Sequence, residues 1–140
     1  RYAKLALEKD PNEPVASIAA AIVKLHVKDL SAAKAYAERA IALNPSFASG
    51  HATLGHILAY MGDPLAGVPH LERAIRLDPH FSQQFLHFLG TAYLLAGDFA
   101  RSAEAYRKRI ALSPRTDLSR AFLASALGHL GDVEGARKVW

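Results

Sequence analysis

Apolar and polar positions alternate along this chain with the period of an α-helix. Leu65, Val68, Leu71 and Ile75 stand three and four residues apart, which draws one apolar stripe down a helix. That run stops at Asp78-Pro79, because a residue before proline is pushed out of the α region. Read the same way, the pattern predicts helices over Arg1–Lys9, Pro14–Val27, Leu30–Leu43, Phe47–Met61, Pro64–Leu77, Ser82–Ala96, Phe99–Leu112, Asp117–Leu130 and Val133–Trp140. No stretch carries the two-residue alternation of a half-buried strand. The links are short, so neighbouring helices must run antiparallel.

The helices repeat in pairs. Pro11, Pro45, Pro79 and Pro114 end every second helix at spacings of 34, 34 and 35 residues. Leu54-Gly55 and Leu58 return as Leu89-Gly90 and Tyr93, and Gly62-Asp63 as Gly97-Asp98 and Gly131-Asp132. Glycine there predicts a left-handed C-cap, and the aspartate after it an N-cap for the next helix, as Asp29 is for 30–43. The units read as 1–11, 14–45, 48–79, 82–114 and 117–140. Both ends cut through a unit by this register, so the chain reads as one domain of about four repeats, a segment of a longer protein. Pro69 breaks the local rules. It lies past the first turn of its helix, which predicts a bend or a shifted start.

Composition narrows the function classes. Half of the 140 residues are apolar (51 %), enough for a buried core, and none is cysteine, which removes disulfides and thiolate metal sites. That fits a reducing, cytoplasmic setting. The apolar run from Val15 to Val23 is too short to span a bilayer. A net charge of +4 permits acidic or nucleic-acid partners without demanding either.

A repeat of this size with these residues resembles the tetratricopeptide family. Its Leu-Gly pair matches Leu54-Gly55 and Leu89-Gly90, with Leu123-Ala124 close; its large residue three positions on matches Leu58, Tyr93 and Leu127. Its small residue early in the second helix matches Ala33, Gly67, Ser102 and Ala136, the bulky one four later matches Leu71, Tyr106 and Trp140, and its late alanine matches Ala6, Ala40 and Ala74. The packing reason is that small side chains let two helices approach while large ones fill the space beside them. The sequence departs from the pattern at Arg109, which holds a late-alanine position, at Ala20-Ala21 and Lys24 in helix 14–27, and at one extra residue between Pro79 and Leu89. The resemblance implies an all-α, right-handed solenoid of antiparallel helix pairs.

It also implies that the first helix of each unit lines a concave groove. The groove positions would be Val15, Ile18, Ile22 and Leu25; Ser49, Ala52, His56, Ala59 and Tyr60; Gln84, His87, Thr91, Leu94 and Leu95; and Leu118, Ala121, Ser125 and His129. Ser49, His56, Tyr60, Gln84, His87, Thr91, Ser125 and His129 are the candidate partner contacts, with Tyr60 as anchor. The clamp with which some members grip chaperone tails is absent, since Ile18, Ala52, His87 and Ala121 occupy its positions.

Other chemistries find little support. His51 and His56 are five apart and His80 and His87 seven, whereas a helical zinc pair needs three or four. The histidines are instead expected to titrate near pH 6.5 and to tune binding between about pH 5.5 and 7.5. Gly50–Gly55 and Gly62–Gly67 mimic phosphate loops but lack the Lys-Ser or Lys-Thr that completes one. No nucleophile motif and no paired carboxylates suggest catalysis, and no cofactor is implied. Arg101, Arg107, Lys108, Arg109, Arg115 and Arg120 read as a solvated basic face, with no exposed aromatics interleaved for nucleic-acid stacking.

The expected function is a non-catalytic protein–protein interaction scaffold that takes a protein or peptide, with self-association through the repeat ends as a further contact. An RNA-binding helical repeat is an alternative class. The run from Leu77-Asp78-Pro79-His80 through Phe85, Leu89-Gly90 and Tyr93 to Gly97 and on to Leu127 is also similar to the C-terminal repeat regions of bacterial class III adenylate cyclases, which would imply a regulatory or assembly role in a larger signalling protein.

Overall fold

The computed structural model describes residues 13–140, and these form four helix pairs. They are α1 (Pro14–His26) with α2 (Leu30–Leu43), α3 (Ala48–Tyr60) with α4 (Pro64–Leu77), α5 (Ser82–Ala96) with α6 (Phe99–Leu112), and α7 (Asp117–His129) with α8 (Val133–Val139). A single 3-10 turn, Pro79–Phe81, runs into α5. No strand occurs among the described residues. The expected helix over 1–9, with Ala6 and Pro11, lies outside them.

Within each pair the turn is built one way. The chain passes through a left-handed residue: Lys28 (φ 62), Gly62 (φ 92), Gly97 (φ 83) or Gly131 (φ 85). The next N–H then reaches back five residues, from Asp29 to Lys24, Asp63 to Leu58, Asp98 to Tyr93 and Asp132 to Leu127. This satisfies carbonyls that the helix end would leave bare. Asp29, Asp98 and Asp132 cap the following helix through the N–H groups of Ala32, Arg101 and Gly135. Asp63 does not act as the expected side-chain cap. Its φ of −125 departs from the −85 to −88 of the other three, and its carboxylate makes no hydrogen bond to the helix end.

Between pairs the chain leaves the helix through an extended residue, Asn44, Asp78 or Ser113, each followed by proline. The extra residue of the third unit is absorbed in α5, at 15 residues the longest described helix. Pro69 lies inside α4, whose start at Pro64 is not shifted. Leu65, the first residue of the expected stripe, is 61 % exposed, so burial begins at Val68.

The pairs close on small residues. A Cβ on Gly55 would lie 2.7 Å from the Gly67 carbonyl oxygen and from Leu71, and one on Gly90 2.7 Å from the Tyr106 ring. Leu71 and Tyr106 are both fully buried beside these crossings. Ser102 donates to the Gly90 carbonyl at 2.8 Å, and the Tyr106 and Thr91 hydroxyls meet at 2.9 Å. Polar groups are thus paired at the contact where a side chain is enclosed. Burial pushes the Tyr106 phenol up to about 12.

Candidate functional site: a groove across α1, α3 and α5

The first helices of three successive units stand side by side and leave a trough between them. Ile18, Ile22, Leu25 and His26 come from α1, Ser49, Ala52, Thr53 and His56 from α3, and Gln84, Phe85 and Phe88 from α5. These enclose about 380 Å³. A second cavity of about 470 Å³ lies between Leu25, His26, Lys28, Leu30, His56 and Tyr60. The two share Leu25, His26 and His56 and therefore form one groove. A third space of about 580 Å³ continues it past Ser49, Gln84 and Phe85 to Asp78, Gln83 and Arg109.

An aromatic step forms the floor. The His56 ring stacks on Phe88 at 3.9 Å and meets the Tyr60 ring edge-on at 4.7 Å. Tyr60 remains 53 % exposed. Ile22 is 42 % exposed, whereas Ile18 is buried at 7 %. Between Lys28 at one end and Asp78 and Arg109 at the other, the groove presents isolated apolar side chains among uncharged polar ones, a composition found at interface centres.

Of the eight sequence-chosen contacts, Ser49, His56, Tyr60 and Gln84 line this groove. His87 and Thr91 do not. Both are buried, at 8 % and 6 %, His87 against α7 of the next unit and Thr91 against α6 of its own. His87 Nδ1 pairs with the Ser119 hydroxyl at 2.9 Å, and its ring stacks on Phe122 at 5.4 Å. The Thr91 hydroxyl donates to the His87 carbonyl and meets Tyr106. His87 joins its repeat to the next and Thr91 joins the two helices of its own repeat, so neither faces a ligand. Ser125 and His129 are exposed on α7, away from the three spaces, with His129 stacked on Phe99 at 4.4 Å. Ala52 and Ala59 are buried.

Thr53, Phe85 and Phe88 were missed, although Thr53 and Phe88 stand four residues after Ser49 and Gln84 and so share their helix face.

The histidines differ from expectation as well. Burial, with the charge of His87, pulls His56 down to about 4; burial, with the charge of Arg109, does the same to His87. His70 is lowered too, by burial first and by His51 second. His56 and His87 therefore stay neutral through the physiological range, and neither tunes binding near pH 6.5. His51 bonds the Pro45 carbonyl at 2.8 Å and stacks on His70 at 5.9 Å. No group of three or more potential metal ligands gathers among the described residues.

The basic face splits up. Arg101 pairs with Asp98 at 3.6 Å and Lys108 with Glu104 at 3.2 Å, both exposed, and such pairs contribute about 0–1 kcal/mol. Arg120 donates to the Pro114 carbonyl, and Arg109 turns from this face to the Gln83 carbonyl, both at 2.8 Å.

This architecture has relatives. Residues 48–81 match the family model of the tetratricopeptide repeat. The chain folds as a tetratricopeptide-repeat solenoid. The structure of MamA from Desulfovibrio magneticus RS-1, from residue 41 to its end, superposes with a TM-score of 0.82 over 99 % of this chain and 78 % of that one, at 20 % identity. TTC0263, described as a thermophilic TPR protein of Thermus thermophilus, gives 0.85 over 98 % and 75 %, at 20 % identity. PilW, described as a widely conserved type IV pilus biogenesis factor, gives 0.86 over 98 % and 64 %, at 20 % identity. No curated protein matches the sequence. In tetratricopeptide terms the groove is the surface of the first helices, and the match over 48–81 spans the unit that supplies its central wall.

Proposed function

We propose that the chain is a non-catalytic interaction module whose groove holds a short segment of a protein partner. The observation that carries this is the continuity of the trough: Leu25, His26 and His56 belong to both apolar cavities. From Ser49 to Tyr60 the wall runs along α3 for about 16 Å at 1.5 Å per residue. That length accommodates about three turns of a docked helix or about five extended residues. An apolar trough with an exposed tyrosine favours anchor side chains over a soluble metabolite. A cytoplasmic setting belongs to the same proposal, supported by the absence of cysteine. No helix among the described residues is long and apolar enough to cross a membrane.

The test is capture of partners from source lysate by the intact protein, in parallel with Ile22→Asp, Tyr60→Ala and Arg107→Glu. Loss of a captured protein with the first two and its retention with the third supports the groove. A second copy of the chain captured this way would make self-association the function. Retention with Ile22→Asp and Tyr60→Ala, or loss only with Arg107→Glu, overturns the reading.

A further inference from the structure

Arg109 occupies a position at which two other repeats carry alanine, Ala40 and Ala74, both fully buried. A long cation there cannot follow them into the core, so it leaves α6 and crosses to α5. Its Nη1 donates to the Gln83 carbonyl at 2.8 Å, and its Nε is enclosed with no partner among the described residues. A guanidinium has five donors in a planar fork, and this one has no carboxylate within 4.0 Å among the described residues. Partial burial lowers its pKa, the mark of a cation removed from water without a counter-charge.

The place it reaches is the end of the groove. Arg109 lines the space of about 580 Å³ with Ser49, Gln83, Gln84, Phe85 and Asp78. Ser49, Gln84 and Phe85 also line the apolar trough, so a segment lying there meets Arg109 as it leaves. Asp78 is the carboxylate that lines this end, and it leaves the guanidinium unpaired.

We infer that the Arg109 end of the groove binds an acidic side chain of the docked segment, so that the occupant is a peptide with apolar anchors and an aspartate or glutamate at one end. This rests on the groove being the docking site. The carboxylate would take the free part of the guanidinium fork, in a space that the Ser49 and Gln84 side chains also line. Asp78 disfavours any anion there and acts as a counterweight.

The experiment is selection of a random dodecapeptide display library on the full chain, with Ile22→Asp as the control that defines groove-dependent binders. Groove-dependent peptides should carry Asp or Glu at a fixed spacing from an apolar pair. A selected peptide resynthesised with a fluorophore should bind Arg109→Ala about tenfold or more weakly, lose part of that with Arg109→Lys, and bind Asp78→Asn more tightly. Arg109→Ala installs the residue of the other repeats, so it should fold, and its thermal melt checks that. Groove-dependent peptides without acidic enrichment, or acidic enrichment that survives Arg109→Ala, overturn this inference and leave the groove standing. An absence of any groove-dependent peptide overturns both.

Discussion

Gly55 and Gly67 face each other across α3 and α4 so closely that a methyl group on Gly67 would overlap the Gly55 carbonyl oxygen. Helix crossings this tight bring the walls beside them into contact, and Leu71 fills the remaining space with no exposure. Gly67→Ala adds one methyl against backbone, which cannot rotate aside. It should cost about 1–3 kcal/mol as overpacking, more than the better helix propensity of alanine returns. A urea melt showing Gly67→Ala as stable as the parent would mean that the crossing is looser than described. Leu71→Ala, at the same contact, should cost about 2–5 kcal/mol by leaving a cavity.

The turns offer a change in the opposite direction. Lys28 holds φ 62 where the corresponding turns hold Gly62, Gly97 and Gly131. A residue with a Cβ is strained there, by roughly 1–2 kcal/mol. Lys28→Gly removes the strain and gives back part of it in unfolded-chain entropy, so a net gain of about 0.5–1 kcal/mol is expected. Gly97→Ala applies the reverse change and should destabilise the chain, although nothing lies within 4 Å of a Cβ there. Thermal melts of the two variants should move in opposite directions. A fall with Lys28→Gly would show that the lysine contributes more than its backbone costs.

His56 and His87 give the fold a pH dependence with a definite sign. Both stand near pKa 4 when folded, against about 6.5 when unfolded. Between those values the unfolded chain binds more protons, so stability is full above about pH 6.5 and falls as the pH drops toward 4. His56→Phe keeps a ring on Phe88 and removes the titrating group. It should therefore shrink the drop in melting temperature between pH 7 and pH 5. An unchanged drop would place the acid sensitivity elsewhere.

Much of this was legible from spacing alone. Proline and glycine-aspartate punctuation determines where helices stop, and every described helix agrees with its expected bounds to within one residue. Those signals are local, as is the burial of Leu71, which follows from its place on a stripe. The groove depends on the third dimension. His56 and Thr91 occupy corresponding positions 35 residues apart, yet one lines the trough and the other is buried with its hydroxyl on Tyr106 of its own unit. His87, four residues earlier on α5, is closed over instead by Phe122 and Ser119 on α7. Periodicity treats repeats as equal, so it could not say which copies of a position remain open. Arg109 was visible as a departure from the repeat, but its reach to the groove end depends on a backbone carbonyl that no side-chain pattern reveals.

Tyr60 separates a docking role from a packing role. Its ring touches His56 edge-on at 4.7 Å while 53 % of the residue stays exposed, and no hydrogen bond to another described residue ties its hydroxyl down. Truncation thus removes little of the core, and Tyr60→Ala should shift the melting temperature by no more than an ordinary surface change of about 0.5 kcal/mol. As an interface anchor the same side chain would contribute about 2 kcal/mol or more, a loss of affinity of roughly thirtyfold. Tyr60→Phe keeps the ring, so binding driven by apolar contact should survive it. The two measurements are a thermal melt and a titration with a peptide that depends on the groove. If Tyr60→Ala lowers the melt substantially and leaves the titration unchanged, the tyrosine holds α1 against α3, and the docking surface must be sought along the exposed face around Arg107 and Arg115.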